Sequence, residues 1–201
     1  MSMPTIHVID DSDVHLQLLA TILRTAGYKV YPYASGPEFL RDAQLTVPGC
    51  ILLDNAMPEL TGLQVQDHMM GMSHGLPVVF MSGESTYEDV FTATRKGAFA
   101  FLQKPVDNEH LLLVIQQAIA VSRELADVRQ ATLDIRKLYD GLTDREKDVF
   151  QLLSAGMVNK SISRKLDIAL RTVEYHRANI QRKLNVRSLE ELIALGRKLG
   201  F

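Results

Sequence analysis

The fold of this chain is indicated first by residues 5–11, TIHVIDD, where a short run rich in β-branched residues ends in two aspartates. Residues 50–54, CILLD, repeat the arrangement with one aspartate, and residues 78–82, VVFMS, and 100–104, AFLQK, end in a serine and a lysine. Runs of this length and composition, separated by helical patterns, predict strands of a parallel α/β sheet. Because the carboxyl ends of parallel strands meet at one edge of such a sheet, we expect these polar side chains to meet there.

Strand-like and helix-like stretches alternate through about the first 120 residues. The strand-like stretches are Thr5 to Ile9, Tyr28 to Tyr33, Cys50 to Leu53, Val78 to Met81 and Ala100 to Leu102. The first helical stretch, which ends near a capping glycine at Gly27, has a predicted apolar face of Val14, Leu18, Leu19, Ile22 and Leu23. This alternation predicts a doubly wound parallel sheet with helices on both faces.

Composition and length describe an ordinary globular protein with room for two domains. The chain has 201 residues, of which 46% are hydrophobic and 23% charged, which argues against a disordered or fibrous chain. Its single cysteine, Cys50, cannot form a disulfide within the chain and favours a reducing compartment. The sequence shows neither a secretory signal pattern nor a run apolar enough to span a bilayer, so we expect a cytoplasmic protein with no membrane partner.

The formal net charge of −2 conceals two regions of opposite sign. Residues 1–120 contain 6 Lys+Arg and 13 Asp+Glu, whereas residues 141–201 contain 12 and 7. An acidic front region fits a cation-binding or charge-sensing module, and a basic tail fits a nucleic-acid-binding one. On charge alone, two solvated surfaces of opposite sign explain the asymmetry equally well.

The acidic residues at the predicted strand ends favour a phosphoryl-transfer site. Asp10, Asp11 and Asp54 would repel one another unless a cation intervened, and oxygen ligands of high negative charge suit Mg²⁺. An ionised carboxylate is itself a nucleophile, and phosphoryl transfer mainly requires alignment and stabilisation of oxygen charge. Lys104 supplies a compact positive charge and Ser82 a hydroxyl. An Asp-Asp pair alone is equally well explained by helix capping, but the five residues together favour the functional interpretation.

These motifs resemble those of a response-regulator receiver domain. They are IDD at residues 9–11, DNAMP at 54–58, MSG at 81–83, the stretch Gly97 to Phe101, and Lys104-Pro105. The resemblance covers about the first 120 residues and implies a flavodoxin-like (βα)5 receiver domain over residues 1–121. It also implies a cis bond before Pro105, which prolyl peptides permit.

The resemblance further implies a role for each residue of the cluster. Asp54 would accept a phosphoryl group from the phosphohistidine of a sensor histidine kinase, with Lys104 and Ser82 contacting that group. The implied ligands of Mg²⁺ or Mn²⁺ are Asp10, Asp11, Asp54 and the main-chain carbonyl of Ala56.

Two positions are implied to carry the switch. Ser82 would move toward the phosphate and Phe101 would turn inward, reporting to the face formed by the fourth helix, near Thr86 to Arg95, and the fifth strand. Considered alone, Phe101 is better explained as a core aromatic. Family members vary in controlling water access at the positions of Ala56 and Glu84, and Asn55 directly follows the acceptor, so the lifetime of the phosphorylated form is left open.

The middle of the chain has a heptad pattern, with apolar residues spaced alternately by three and four. They are Leu111, Val114, Ala118, Val121, Leu125, Val128, Thr132, Ile135 and Tyr139. The pattern predicts a single helix from about Asn108 to Tyr139, of which residues 122–140 form a helical linker. Its apolar seam could pair two chains or rest on a neighbouring domain, and both interpretations stay open.

The last 61 residues predict an all-α unit of four helices, residues 141–201. Thr143 and Glu146 form a capping-box pattern that opens the first helix, which stops near Gly156. The other predicted helices are Lys160 to Leu166, Arg171 to Leu184 and Leu189 to Leu199. A short turn between the second and third helices is typical of a helix-turn-helix, although plain bundles also contain such turns.

The third of these helices has an apolar face and a polar, basic one. Residues 142–192, including GMVNK at 156–160 and RTVEYHRANI at 171–180, resemble the LuxR/FixJ-type helix-turn-helix domain. By position, the candidates for contacting the DNA backbone are Lys160, Arg171, Thr172, His176, Arg177 and Asn179. Those nearest the bases would be Glu174, Tyr175 and Ala178, with Arg182 on the same outward face. His176 could instead be a packing residue, and Tyr175 a core or linker-facing one.

Together the two resemblances imply a response regulator of the FixJ/NarL type, not an enzyme. Phosphorylation on Asp54 would promote dimerisation and binding to promoter DNA, with RNA polymerase as a further partner. Two alternatives are a phosphohydrolase that uses Asp54 as its nucleophile and a constitutive DNA binder whose receiver is only structural. The first would need a second positioned acid, which Asn55 and Ala56 do not supply.

Overall fold

The computed structural model describes residues 3–71, 75–83 and 86–201. Two compact units divide the chain: one ends at Asp127 and the other comprises Val128–Phe201. The first unit is built on a parallel sheet and the second consists of helices. The α/β class and the helical tail predicted from the sequence are therefore confirmed.

The first unit contains one five-stranded parallel sheet. Its strands are β1 (Thr5–Ile9), β2 (Lys29–Tyr33), β3 (Gly49–Asp54), β4 (Val78–Ser82) and β5 (Ala100–Gln103). The spatial order is β2-β1-β3-β4-β5, so the winding reverses between β1 and β3. A reversal of this kind opens a crevice at the carboxyl ends of the two strands, and Asp10 and Asp54 lie there.

The helices around the sheet begin at side-chain caps. They are α1 (Asp13–Thr25), α2 (Gly36–Asp42), α3 (Gly62–Met69), α4 (Tyr87–Arg95) and α5 (Asn108–Asp140). The hydroxyls of Ser12, Ser35, Thr61 and Thr86 accept main-chain hydrogen bonds at the starts of α1 to α4. Each cap satisfies an otherwise unpaired amide and fixes where its helix starts beside the sheet edge.

The predicted apolar face of α1 is partly wrong. Leu19 and Leu23 are buried, but Val14 is 76% exposed and Leu18 is 57% exposed. The buried positions of α1 follow from Leu16 at helical spacing, through Leu19 and Leu23, and this row packs on the sheet. Val14 and Leu18 lie outside that row and face solvent. The predicted face therefore combined residues of the core side of the helix with residues of its surface side.

The second unit contains the end of α5, from Val128, and four further helices: α6 (Asp144–Ser154), α7 (Asn159–Leu166), α8 (Leu170–Leu184) and α9 (Leu189–Leu199). The capping box of Thr143 and Glu146 is present, whereas Ala169 gives α8 no side-chain cap. Phe150 and Leu153 of α6 pack with Val173 and Ile180 of α8 in one core. The apolar side of α8 therefore packs in this core, and polar residues occupy its opposite side.

The long helix α5 confirms the predicted single helix and shows that its heptad seam is used unevenly. Leu111, Val114 and Ala118 are buried in the first unit, and Tyr139 is buried in the second. Between them, Val121, Leu125 and Val128 are exposed. The seam is therefore buried at its ends and exposed along its middle.

A buried histidine lies in the middle of the sheet. His7 on β1 has no exposed surface, stacks on the rings of Tyr31 and Tyr33, and lies edge-on to Phe39. Its Nδ1 is 3.1 Å from the Tyr33 hydroxyl, and its Nε2 has no hydrogen-bond partner. Burial lowers the pKa of His7 to about 4, so the ring is neutral at neutral pH.

We expect His7 to make the first unit sensitive to acid. The unfolded chain takes up a proton near pH 6.5 and the folded one only near pH 4, so the unfolded state binds more protons between them. The contribution of neutral His7 to the free energy of unfolding is present in full above about pH 6.5. It falls by up to about 3 kcal/mol as the pH drops to about 4. Urea unfolding of His7→Phe should show a shallower pH dependence across this range. Identical profiles for the two proteins would contradict the expectation.

Candidate phosphoacceptor site and DNA-binding surface

The predicted acidic cluster forms one depression at the carboxyl edge of the sheet. Its lining residues are Asp10, Asp11, Ser12, His15, Asp54, Ala56, Gly83 and Lys104. Four strands, β1, β3, β4 and β5, bring these residues together from distant parts of the sequence. The topology therefore assembles the site in the way the strand-end pattern predicts.

The Lys104 ammonium bridges two buried carboxylates. Its Nζ lies 2.7 Å from Asp10 Oδ2 and 2.7 Å from Asp54 Oδ1. The other oxygen of each aspartate accepts a main-chain hydrogen bond, from Ser12 N at 2.9 Å and from Ala56 N at 2.8 Å. Both carboxylates are thus fixed in position by one cation and one amide each.

The charges in this cluster depend on one another. Burial on its own lowers the pKa of Lys104, but hydrogen bonds and charge attraction from Asp10 and Asp54 outweigh it and raise that pKa. Lys104 is therefore an ammonium at neutral pH. The Lys104 ammonium is also placed to contact an oxygen of a phosphoryl group, although the three charged groups together keep a net negative charge.

The two residues with predicted switch roles lie on β4 and β5, two of the strands that end at the pocket. Ser82 ends β4, is fully buried, and its main-chain carbonyl accepts a hydrogen bond from Lys104 N at 2.8 Å. The ring of half-buried Phe101 on β5 stacks on Phe80, with centroids 5.5 Å apart and planes 7° apart. Glu84, two residues after the end of β4, lies outside the described residues.

The oxygen donors of the pocket fit a hard divalent cation in their chemistry. The side chains of Asp10, Asp11 and Asp54 and the main chain of Ala56 belong to residues of the same depression. Within the described ranges, no three histidine, cysteine or carboxylate side chains are grouped to hold a metal ion as they stand. Asp11 is exposed, and Lys104 already bridges the other two carboxylates.

Two neighbours of the site have roles that the sequence pattern does not reveal. His15 lines the depression, and its Nδ1 lies 3.7 Å from Asp10 Oδ1. A lone histidine on an amphipathic helix gives no sequence signal for this placement; only the cap at Ser12 sets the rotation of α1. Asn55 turns away from the pocket, because its Oδ1 accepts a hydrogen bond from Leu63 N at 3.3 Å.

The predicted DNA-contacting residues divide by exposure. Those that are exposed are Lys160, Arg171, Glu174, Tyr175, Ala178 and Arg182. Those that are half-buried are Thr172, His176, Arg177 and Asn179. Tyr175 is 65% exposed, so the alternative of a core tyrosine is wrong. The Nδ1 atom of His176 is buried and has no hydrogen-bond partner among the described residues. His176 therefore fits a packing role as well as a DNA-contacting one.

The exposed side of α8 presents a compact stripe of basic and apolar groups. Arg171, Tyr175, Ala178 and Arg182 recur at spacings of four, three and four, and so share one face. Arg182 donates to Asn179 Oδ1 at 3.1 Å. Two apolar residues missing from the predicted set are also exposed nearby in sequence, Val158 before α7 and Leu170 at the start of α8.

A partly buried ion pair fixes α8 against α6. Lys183 Nζ lies 2.6 Å from Glu146 Oε2, and Glu146 also accepts a hydrogen bond from Thr143 N. Burial raises the pKa of Glu146, but these partners outweigh burial and lower it. The same carboxylate therefore caps α6 and positions α8, which carries the basic stripe.

A lysine-bridged acid pocket on a parallel sheet, followed by a helix-turn-helix unit with an exposed basic face, defines a two-domain response regulator. Two family models agree: the response regulator receiver domain matches residues 6–116, and the bacterial regulatory proteins of the luxR family match residues 140–195. The chain belongs to the response-regulator family with a LuxR-type DNA-binding domain. It is a transcription regulator of a two-component system, and its family consists of regulators rather than enzymes.

Known relatives match nearly the whole chain. The tetrathionate response regulatory protein TtrR of Salmonella typhimurium is 35% identical over 198 residues, covering 98% of this chain and 94% of TtrR. The transcriptional regulatory protein FixJ of Bradyrhizobium diazoefficiens is 32% identical over 196 residues, covering 98% and 96%. A solved structure of the response regulator StyR matches with a TM-score of 0.82 at 36% identity, covering 98% of this chain and 100% of that one.

Receiver domains typically bind Mg²⁺ in their acidic pocket, which agrees with the donor chemistry seen here. No helix in the described part of the chain is long and apolar enough to cross a membrane.

We expect Lys104 to be needed for stability as well as for function. Lys104→Met would leave Asp10 and Asp54 facing each other with no cation between them, costing about 2–3 kcal/mol in free energy of unfolding. Adding Asp54→Asn to this variant should restore part of the loss, and so should Mg²⁺. The measurement is urea unfolding at pH 7 without divalent cations.

The matched control is Lys96→Met, which removes the more exposed ion pair of Lys96 with Asp67. It should cost under about 1 kcal/mol. Equal losses for the two lysine variants would contradict the special role of the bridge.

Proposed function

We propose that this regulator is switched by phosphorylation of Asp54 by a sensor histidine kinase. The observation that carries the proposal is the buried Asp54 carboxylate, held at the sheet edge by Lys104 on one oxygen and by Ala56 N on the other. A fixed, ionised carboxylate beside a lysine is a suitable nucleophile for an incoming phosphoryl group. A conformation fixed before the donor arrives reduces the entropy lost in reaching the transition state.

In the proposed step, an Asp54 carboxylate oxygen attacks the phosphorus of a phosphohistidine. The new O–P bond forms as the P–N bond breaks, and the electron pair of that bond stays on the departing imidazole. Lys104 balances the oxygen charge of the transferred group, and the Ser82 hydroxyl donates to it. Asp10, Asp11, Asp54 and the carbonyl of Ala56 would hold Mg²⁺ or Mn²⁺, which neutralises phosphoryl oxygen charge when bound.

A protein surface for the kinase lies beside this pocket. Val14 and Leu18 of α1 are exposed apolar residues, and Leu18 lines a groove with Ile22, Pro105 and Leu111. His15 and Lys104 line both this groove and the acid pocket. An exposed apolar patch continuous with the reacting carboxylate supports docking of a protein donor there.

The proposed switch couples the new phosphoryl group to α4. Ser82 would move toward the group and Phe101 would turn inward, changing the face of α4 and β5. On α4, Tyr87 is 97% exposed and Phe91 is 62% exposed, which supports this face as the surface that pairs in a dimer. A dimer would present two copies of α8 to matching half-sites.

The DNA-binding role of α8 follows from its exposed face. Arg171 and Arg182 would contact phosphates, while Tyr175 and Ala178 would face base edges, where apolar groups contact thymine methyls. We assign residues 1–121 to the receiver, 122–140 to the linker and 141–201 to the DNA-binding domain. We further propose that the protein acts in the cytoplasm and that RNA polymerase is a partner at the promoter.

Phosphorylation can be tested with acetyl phosphate and Mg²⁺. We expect intact mass to rise by one phosphoryl group on Asp54, with a larger species in sedimentation velocity, and Asp54→Asn should show neither change. The control Asp67→Asn, at an exposed aspartate of α3, should behave as the wild type. A label on another residue, or turnover of small phosphate esters, would contradict the proposal; the second result would favour a phosphohydrolase.

DNA recognition can be tested by selecting binding sites from genomic fragments and then measuring affinity. Arg182→Ala should weaken binding to all sequences and reduce the salt slope by about 1, because it removes one phosphate contact. Tyr175→Ala should change the preferred sequence instead.

The control Arg197→Ala removes an exposed arginine of α9 and should leave affinity unchanged. Equal DNA affinity before and after phosphodonor treatment would favour a constitutive DNA binder and contradict the switch.

A further inference from the structure

One exposed carboxylate lies on the side of α8 that carries the basic stripe. Glu174 is the only acidic residue of this 15-residue helix. It lies three residues after Arg171 and four before Ala178, so it shares their side of the helix. Its carboxylate makes no hydrogen bond or ion pair with any residue that the structure describes, although Arg171 and Arg177 are each only three residues away.

Other acidic residues of the second unit have structural roles. Glu146 caps α6 and pairs with Lys183, and Glu191 accepts a hydrogen bond from Arg187 N at 2.7 Å. An acidic side chain in the first turn of a helix offsets the helix dipole, but Glu174 is the fifth residue of α8 and lies beyond that turn. The stability of the fold therefore does not account for Glu174.

A carboxylate at this position is unfavourable for DNA binding in general. It adds negative charge to a surface that would approach phosphates, and this electrostatic cost is the same for every DNA sequence. Such a cost is offset only by a contact that some sequences provide and others do not. Glu174 therefore fits a role in choosing the sequence rather than in holding the DNA backbone.

We propose that Glu174 reads a cytosine, by accepting a hydrogen bond from its N4 amino group in the major groove. Each half-site would then contain a G·C pair at one fixed position. The inference rests on the proposed DNA-binding role of α8 and names the base that this helix selects. Residues near the start of a recognition helix are the ones that contact base edges, and Glu174 lies in that part of α8.

The chemistry of the carboxylate selects cytosine among the four bases. An ionised carboxylate can only accept hydrogen bonds, and the major groove offers donors only at cytosine N4 and adenine N6. Adenine carries the acceptor N7 beside its amino group, which would face the second carboxylate oxygen, whereas cytosine carries a C–H there. Guanine presents only acceptors, and thymine presents an acceptor and a methyl group, so both are rejected.

The neighbours of Glu174 make this contact compatible with binding. Arg171 and Arg177 lie three residues on either side of it and reduce the repulsion between its carboxylate and the DNA backbone. Tyr175, which is 65% exposed, and exposed Ala178 flank it with apolar groups that offer no competing donor. The carboxylate is therefore free to accept from a base.

The first test compares the binding sites selected from genomic fragments by full-length protein after acetyl phosphate treatment. The wild type should select one G·C pair in each half-site, and replacing that pair should weaken binding about tenfold. Glu174→Ala should lose the preference at this pair and keep the preferences at the others. Glu174→Gln should shift it to adenine, because a glutamine amide pairs with adenine N6 and N7. An unchanged base preference in both variants would overturn the proposal.

The second test changes one atom group of the DNA. N4-methylcytosine still pairs with guanine but places a methyl group where the N4 donor faced the groove. Substituted at the selected position, it should weaken the wild type about as much as replacing the base pair does, and it should leave the affinity of Glu174→Ala unchanged. Equal weakening of the two proteins would show that another residue reads this cytosine and would overturn the proposal.

Glu190→Ala is the matched control, because it removes an exposed acidic residue of α9 and changes the net charge by the same amount. It should select the same sites as the wild type. The same loss of preference in Glu174→Ala and Glu190→Ala would assign the effect to net charge and contradict the inference.

Arg182→Ala, measured on the same DNA, separates this inference from the proposed function. If Arg182→Ala weakens binding while the Glu174 variants keep the wild-type preference, the inference fails and the DNA-binding role of α8 stands. If Arg182→Ala and the Glu174 variants all bind as the wild type does, the proposed role of α8 fails as well. Loss of RNA polymerase binding in Glu174→Ala, with an unchanged base preference, would assign this carboxylate to that partner and overturn the proposal.

Discussion

The receiver depends on electrostatic balance at the reversal point of its sheet. Two buried carboxylates end neighbouring strands, and a protein interior tolerates such a pair only when a cation compensates it. Lys104 supplies that charge, at 2.7 Å from both Asp10 and Asp54. The arrangement holds Asp54, the proposed acceptor, in place, and one ammonium opposite two carboxylates, with exposed Asp11 adjacent, still leaves excess negative charge. The cluster that stabilises this edge of the sheet is therefore also the one proposed to react.

In the proposed switch, that excess is what makes this edge of the sheet respond to phosphorylation of Asp54. A phosphoryl group adds up to about two negative charges, which Lys104 alone cannot balance, so neighbouring donors must reorganise. In the proposed switch, Ser82 on β4 and Phe101 on β5 would carry this change on to α4. A few kcal/mol of differential stability between two conformations is sufficient for switching.

Much of this architecture could be predicted because its signals are local. Strand-like runs ending in Asp10, Asp54 and Ser82 predicted both the parallel sheet and the meeting of their ends, and the structure confirms them. The cis bond at Lys104-Pro105 was implied by the resemblance and is present, whereas the cis bond at Val47-Pro48 was not predicted.

Features that depend on helix rotation could not be read from spacing. Periodicity placed Val14 and Leu18 in an apolar face, but the row that starts at Leu16 is the one that packs on the sheet. For the same reason, the position of His15 beside Asp10 could not be predicted from the sequence, since it depends on how the cap at Ser12 orients α1. On α8 the sequence separated an apolar from a basic face, yet only the structure shows Tyr175 exposed and His176 half-buried. The middle of α5 is the converse case, because the sequence predicts the seam and only the structure shows that Val121, Leu125 and Val128 are exposed.

The proposed switch also bears on how a small surface can control DNA binding. The exposed apolar residues of α4 form a modest patch, and association must first overcome the loss of translational and rotational freedom. Once the α4 faces of two copies pair, that loss has been met, and the second copy of α8 meets a symmetric DNA site at high effective concentration. A phosphorylation that improves the α4 face only slightly can then shift the dimer equilibrium strongly. Paired copies of α8 in turn gain affinity for a symmetric site without any change in the contacts that each copy makes.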